Sequence, residues 1–149
     1  MATANTGTLL VAPRWIEGQI CVSLGKVTFA GTLTTGDTGT IAGMLPASNG
    51  YTLLETTVWG DPFDTNATPT ATIVVGDGTT TNLYLASKTA SGSTSPGQMR
   101  FIGDGTGIGT GVTAASPDVV ITAGGTVATG KSGAVGWVSC TYLCHNAEN

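Results

Sequence analysis

This sequence is short of charge. Of its 149 residues only 9% are charged, against roughly 25% in an average soluble protein. The five bases, Arg14, Lys26, Lys88, Arg100 and Lys131, stand singly, and the formal net charge is −4. There is no basic stripe to follow a phosphate backbone, so nucleic acid is not an expected partner. Long apolar runs are missing too. The longest, such as TLLVA and PDVVITA, fall far short of the roughly 20 residues that cross a bilayer, which argues against a membrane partner. The three cysteines are an odd number without the spacing of a disulfide scaffold. The opening MATANTG has neither the basic nor the apolar region of a signal peptide. Synthesis in a reducing cytoplasm is therefore expected, and the Asn66-Ala67-Thr68 sequon reads as a turn. Helical periodicity is absent throughout.

Glycine and threonine fill the space that charge leaves. Threonine suits a pleated surface, and glycine supplies turns and close backbone approach. One domain is expected from the length. So little charge, on many short strands, also suits a surface that is covered by other subunits.

The chain is organised around Tyr51 to Ala86, read as three strands and two turns. YTLLETTVW is rich in strand formers, and GDPFDTNATP then breaks the pattern. In TATIVV the residues Ala71, Ile73 and Val75 share one face, as on a strand lying over a core. Gly76-Asp77-Gly78 makes the next turn, and NLYLA begins the third strand. Before this stretch, residues 1–18 read as an extended arm, with Leu9, Leu10, Val11, Arg14 and Trp15 as interface candidates. Such a piece either adds to a sheet edge or lies on a neighbouring subunit. QICVSLGKVTFAGTL changes parity between Leu24 and Val27, which predicts a bulge or tight turn at Gly25-Lys26. TIAGML is a short strand, and Asn49-Gly50 is a type I′ turn candidate.

After NLYLA, residues 88–97 read as a loop and QMRFI as a short strand. Gly103, Gly105, Gly107, Gly109 and Gly111 recur at every second position. A strand there would have one bare face for another backbone, but so much glycine favours a flexible loop. PDVVITAGGTVAT reads as a hairpin turning at Gly124-Gly125, and GAVGWVSCTYLC as the closing strand. Eight or nine short strands with regular turn signals give an all-β, single-domain antiparallel β-sandwich of jelly-roll-like topology. Its bounds are 19–145, between the arm and a tail at 146–149.

No catalytic constellation is evident. His145 is the only histidine, so an internal Ser-His-Asp triad would have to use the tail end of the chain. No spacing joins Glu17 to Glu55. Cys140, Cys144 and His145 suggest zinc by type, but on a strand the two thiols lie about 13 Å apart. Asp61, Asp64 and Asp77 flank turns and lack the spacing of a calcium loop. The two GDG stretches lack the form of a phosphate loop. Trp15, Trp59 and Trp137 suit either a sugar-stacking platform or core and interface packing. No enzyme, metal or cofactor is expected.

One resemblance goes further. The stretches GDTGTIAGMLPASNGYTLLETTVWGDPFDTNATPTATIVVGDGTTTNLYLA and VVITAGGTVATGKSGAVGWVSCTYL resemble the head decoration, or cement, proteins of tailed bacteriophages. The shared features are Leu45-Pro46, Phe63-Asp64, Val75-Gly76-Asp77-Gly78 and Tyr84-Leu85-Ala86. The resemblance covers about Thr35 to Leu143 and rests on turn chemistry. It implies a virion protein that binds the outer capsid surface between capsomers and steadies the shell. The implied partners are the major capsid protein and, as a homotrimer, itself. A carbohydrate- or receptor-binding module of a phage head or tail fibre is the second reading.

Overall fold

Alternation of small or apolar residues with threonine gives eleven strands in two facing sheets. The computed structural model describes residues 1–46, 50–90, 99–109, 111–112 and 117–145. No helix occurs among them. The strands are β1 (Ala4–Thr6), β2 (Thr8–Val11), β3 (Ile20–Thr28), β4 (Thr38–Ile41), β5 (Tyr51–Gly60) and β6 (Thr70–Gly76). They continue with β7 (Leu85–Thr89), β8 (Met99–Ile102), β9 (Gly111–Val112), β10 (Val119–Thr126) and β11 (Val135–Cys144). The five-stranded sheet runs β1-β4-β10-β6-β7. The six-stranded sheet runs β2-β3-β11-β5-β8, with β9 on the far end of β5. Every ladder is antiparallel except β1 with β4. The chain changes sheet between β1 and β2, β3 and β4, β4 and β5, β5 and β6, β7 and β8, β9 and β10, and β10 and β11, and the winding from β3 onward is that of a jelly roll.

The core lies between the sheets. β6 sends Ala71, Ile73 and Val75 inward, and β11 sends Val138, Cys140, Tyr142 and Cys144. Phe29 meets Phe63 edge-on at 5.1 Å, and Tyr51 meets Tyr142 at 5.7 Å, an arrangement aromatic rings prefer. Each such side chain, fully buried, contributes about 1.5–3 kcal/mol of hydrophobic free energy.

Several expectations change. β3 has no bulge at Gly25-Lys26: its ladder with β11 is unbroken from Thr28 to Ile20. The irregularity lies in the other ladder, between Leu9 and Val11 of β2. Cys21, Ser23, Gly25 and Val27 keep one parity and form the inward face. Gly25 works there because Ile41 occupies its space; a Cβ would lie 2.6 Å from the Ile41 Cγ2. Ile20 and Val22 consequently face out. Gly124-Gly125 is not a hairpin turn. β10 continues through both, pairing with Thr72 and Ala71 of β6. The third strand of the organising stretch starts at Leu85, after a longer turn, and runs to Thr89.

The glycine-rich run after β8 is a close backbone approach and not an open loop. Gly103 donates to Thr56 at 2.6 Å and Gly107 to Leu83 at 2.7 Å, and Gly105 is packed against the Leu83 carbonyl. Side chains there would prevent the approach. Residues 4–11 form edge strands on both sheets, crossing from one to the other at Gly7. Asn49 of the expected turn, most of the 88–97 loop and the tail at 146–149 lie outside the described residues.

Candidate functional site

The residues picked for metal or catalytic chemistry are held apart and used structurally. Asp64 is buried and accepts backbone N–H groups from Asn66, Thr70, Ala128 and Thr129 at 3.0–3.3 Å. Burial pushes its carboxyl up, but these four donors more than offset that and leave it below the usual carboxylate range. Asp61 takes the Lys131 ammonium at 2.7 Å and the Val135 N–H. Asp77 accepts from Thr79 and Thr80 within its own turn. Asp37, not singled out from the sequence, ties Thr3 and Thr34 together. Each carboxylate therefore pins loops.

The thiols pair in an unexpected way. The Cys144 Sγ lies 3.7 Å from that of Cys21, across the β3–β11 ladder, and not near Cys140. Cys140 sits beside Thr56, where burial pushes its thiol up to about 12 and keeps it protonated and inert. The His145 Nε2 meets the Thr52 hydroxyl at 2.6 Å. No cluster of metal-ligating side chains occurs among the described residues.

What remains is a surface. The outward positions of the six-stranded sheet are unusually apolar. On β3 they are Ile20, Val22, Leu24 and Lys26, with Ile20 63% and Val22 48% exposed. Leu143, Trp137 and Val135 follow on β11, Trp59 on β5 and Ile102 on β8. Leu10 and Val11 extend the patch along the edge strand β2. Three strands of nine or ten residues and two of four, about 4.8 Å apart, make a face on the order of 600 Å². A standard interface takes roughly 800 Å² from each partner.

Across this face the register sets one row in line. Trp137 lies opposite Lys26 on one side and Trp59 on the other, and Arg100 lies opposite Trp59. The indole rings stack at 6.1 Å with 9° between planes, and the Lys26 Nζ stands 5.4 Å from the Trp137 centroid. Beside Trp59 is an open hollow of about 510 Å³, lined by Thr57, Trp59, Met99, Arg100 and Ser139.

Trp15 is not part of that row. It packs half-buried on the core at the other end of the sheet, and its Nε1 donates to the Gly50 carbonyl at 3.4 Å. The Arg14 side chain is exposed, while its backbone exchanges hydrogen bonds with the Tyr142 hydroxyl at 2.9 and 2.7 Å. Leu9 packs half-buried on the core. The sequence reading missed the row because β3 carries its larger apolar residues outward. Taking Cys21, Ser23, Gly25, Val27 and Phe29 as the inward parity would have exposed it.

A chain of the cyanophage Pam1 capsid asymmetric unit shares this fold, with a TM-score of 0.68. It is 33% identical, over 90% of this chain and 92% of that one. The chain belongs to a family of phage capsid proteins. A chain of the capsid of Ralstonia phage GP4 has the same fold, with a TM-score of 0.64 and 19% identity over 93% of this chain and 92% of that one. No protein-family model and no curated protein matches the chain. Membership in the capsid-protein family makes this a structural protein of a phage virion, and the apolar sheet face is its candidate contact surface.

Proposed function

We propose that the chain is a head decoration protein. It binds the outer surface of the capsid between capsomers and stabilises the shell, running no reaction of its own. The observation that carries this is an exposed apolar sheet face on a member of a capsid-protein family. Contiguous exposed apolar patches on soluble proteins mark interaction sites. Its partners in this reading are the major capsid protein and further copies of itself, arranged as a homotrimer and assembled onto the shell in the host cytoplasm. A closed ring lets individually weak contacts act together, because engaging one protomer raises the effective concentration of the others. The edge residues Leu9, Leu10 and Val11, with Arg14 and Trp15 beyond them, form the margin of the contact.

The test is to strip the protein from particles, add it back and measure occupancy and resistance to heat. Rebinding with restored resistance is expected, with light scattering giving three copies per free assembly. A monomer that ignores the stripped shell sinks the proposal. The Trp59 ring beside an open hollow favours one second reading, a carbohydrate- or receptor-binding module. Binding on a glycan array without particle binding would select it.

A further inference from the structure

We infer that the trough beside the Trp59–Trp137 row takes an extended acidic segment of another virion protein, with apolar side chains between its carboxylates. The inference rests on the decoration reading and specifies the partner chemistry of the same face.

Two adjacent cross-strand rows define the trough. The tall row is Lys26, Trp137, Trp59 and Arg100. The next row along the strands is Leu24, Ser139, Thr57 and Ile102, opposite one another in the same ladders. Its two central residues are small. The step down from paired indoles to Ser139 and Thr57 makes the hollow, and the step runs perpendicular to the strands.

Charge selects the occupant. Among the described residues neither Lys26 nor Arg100 takes part in an ion pair, whereas Lys88 is paired with Asp104 and Lys131 with Asp61. The outward positions of the strands hold these two cations against one carboxylate, Glu55, on a chain of net charge −4. A second copy laid on the same face would set cation against cation. Two cations are too few for a nucleic-acid backbone. An anionic protein segment fits: three strand spacings separate Lys26 from Arg100, about 14 Å, which is the reach of about four extended residues. Carboxylates four residues apart would meet both cations while apolar side chains lie on Trp59 and Ile102. A glycan fits less well. Trp137 is covered by Trp59 and Lys26, which leaves Trp59 as the one ring of the row to stack on. Beside that ring the hollow offers a sugar the hydroxyls of Ser139 and Thr57 and the Arg100 guanidinium, and, among the described residues, no side-chain carboxylate or amide to accept from its hydroxyls.

The experiment measures rebinding of the full chain to stripped particles for the wild type, Arg100→Glu, Lys26→Glu and Arg100→Lys. Arg100→Glu and Lys26→Glu should each weaken rebinding at least tenfold. Arg100→Lys should retain most of it, and raised salt should weaken the wild type toward the variants. Arg100 is exposed, and an unchanged melting temperature certifies its variants as folded. Wild-type rebinding with both charge reversals equally active would overturn the inference and leave the decoration reading standing. Failure of the wild type to rebind would overturn both. Acidic glycans captured on an array, and lost with Arg100→Glu, would overturn the protein-segment assignment.

Discussion

The outer surfaces of the two sheets differ although the same folding rules made both. On the five-stranded sheet the outward positions are mostly threonine, Thr38, Thr40, Thr70, Thr72, Thr122 and Thr126, with Val74 and Val120 as apolar members. On the six-stranded sheet they carry Ile20, Val22, Leu24, Trp137, Trp59 and Ile102, set among Thr28, Thr52, Thr57, Ser139 and Thr141. Threonine and the β-branched and aromatic residues are all good strand formers, so sheet stability explains neither choice over the other. The core does not explain it either, since both sets point away from it. Hydroxyls hydrate one surface, while the other leaves side chains in water at a free-energy cost that only a partner would relieve.

The largest effect should come from breaking the apolar face itself. Val22→Asp combined with Trp59→Ala removes an aliphatic contact and an aromatic anchor. At about 2 kcal/mol each, central interface residues of this kind account for at least a hundredfold in particle binding. Thr72→Asp with Thr122→Asp, the matching change on the other sheet, should leave rebinding within about twofold. Equal loss from both pairs would erase the distinction between the faces.

A smaller effect probes how closely the sheets approach behind those faces. Gly39 on β4 packs against the Val27 side chain of β3, and Gly25 against Ile41 in the reverse sense. Gly39→Ala forces the sheets apart there and should cost about 1–3 kcal/mol of stability, read as a lower denaturant midpoint. An unchanged midpoint would mean that the sheets are not in close contact at this edge.

Acid acts on the loops rather than on either face. Burial pushes the carboxyls of Asp37, Asp61 and Asp64 up. Backbone N–H donors, and Lys131 for Asp61, outweigh it, so all three lie below 3.8. A depressed folded value means that the stability is fully present above the unfolded value and is lost as pH falls through the folded one. The melting temperature should hold from pH 7 to about 4.5 and drop below about pH 4. Asp64→Asn should blunt that drop, and an identical acid profile would remove Asp64 from the account. The smallest effect is local. Lys26→Met removes the cation above Trp137 and should change stability by at most about 1 kcal/mol, with a small shift in tryptophan emission.

Much of the fold was legible because its strands obey period two and its turns use Gly, Asp and Pro. TATIVV turned its alternate residues inward as its pattern implied, and the two-sheet architecture followed from strand spacing. Three features were misread for one reason: glycine was taken as punctuation where it was packing. Gly25 accommodates Ile41, Gly124 and Gly125 continue a ladder, and Gly103 to Gly107 admit a neighbouring backbone. The candidate surface was legible only at its margin, in Leu10 and Val11. Its centre combines residues from four strands, and register alone brings Lys26, Trp137, Trp59 and Arg100 into line.

The strand that makes the longest ladders, β11, also follows every other strand of its sheet in chain order. Its partners β3 and β5 emerge well before it, each with an unpaired flank and outward apolar side chains. Until β11 threads between them the nascent molecule carries open edges of the kind that recruit other chains. Hydrogen exchange during refolding should therefore show the six-stranded sheet gaining protection late and all at once, a slow step set by the long sequence separation that closing it must span.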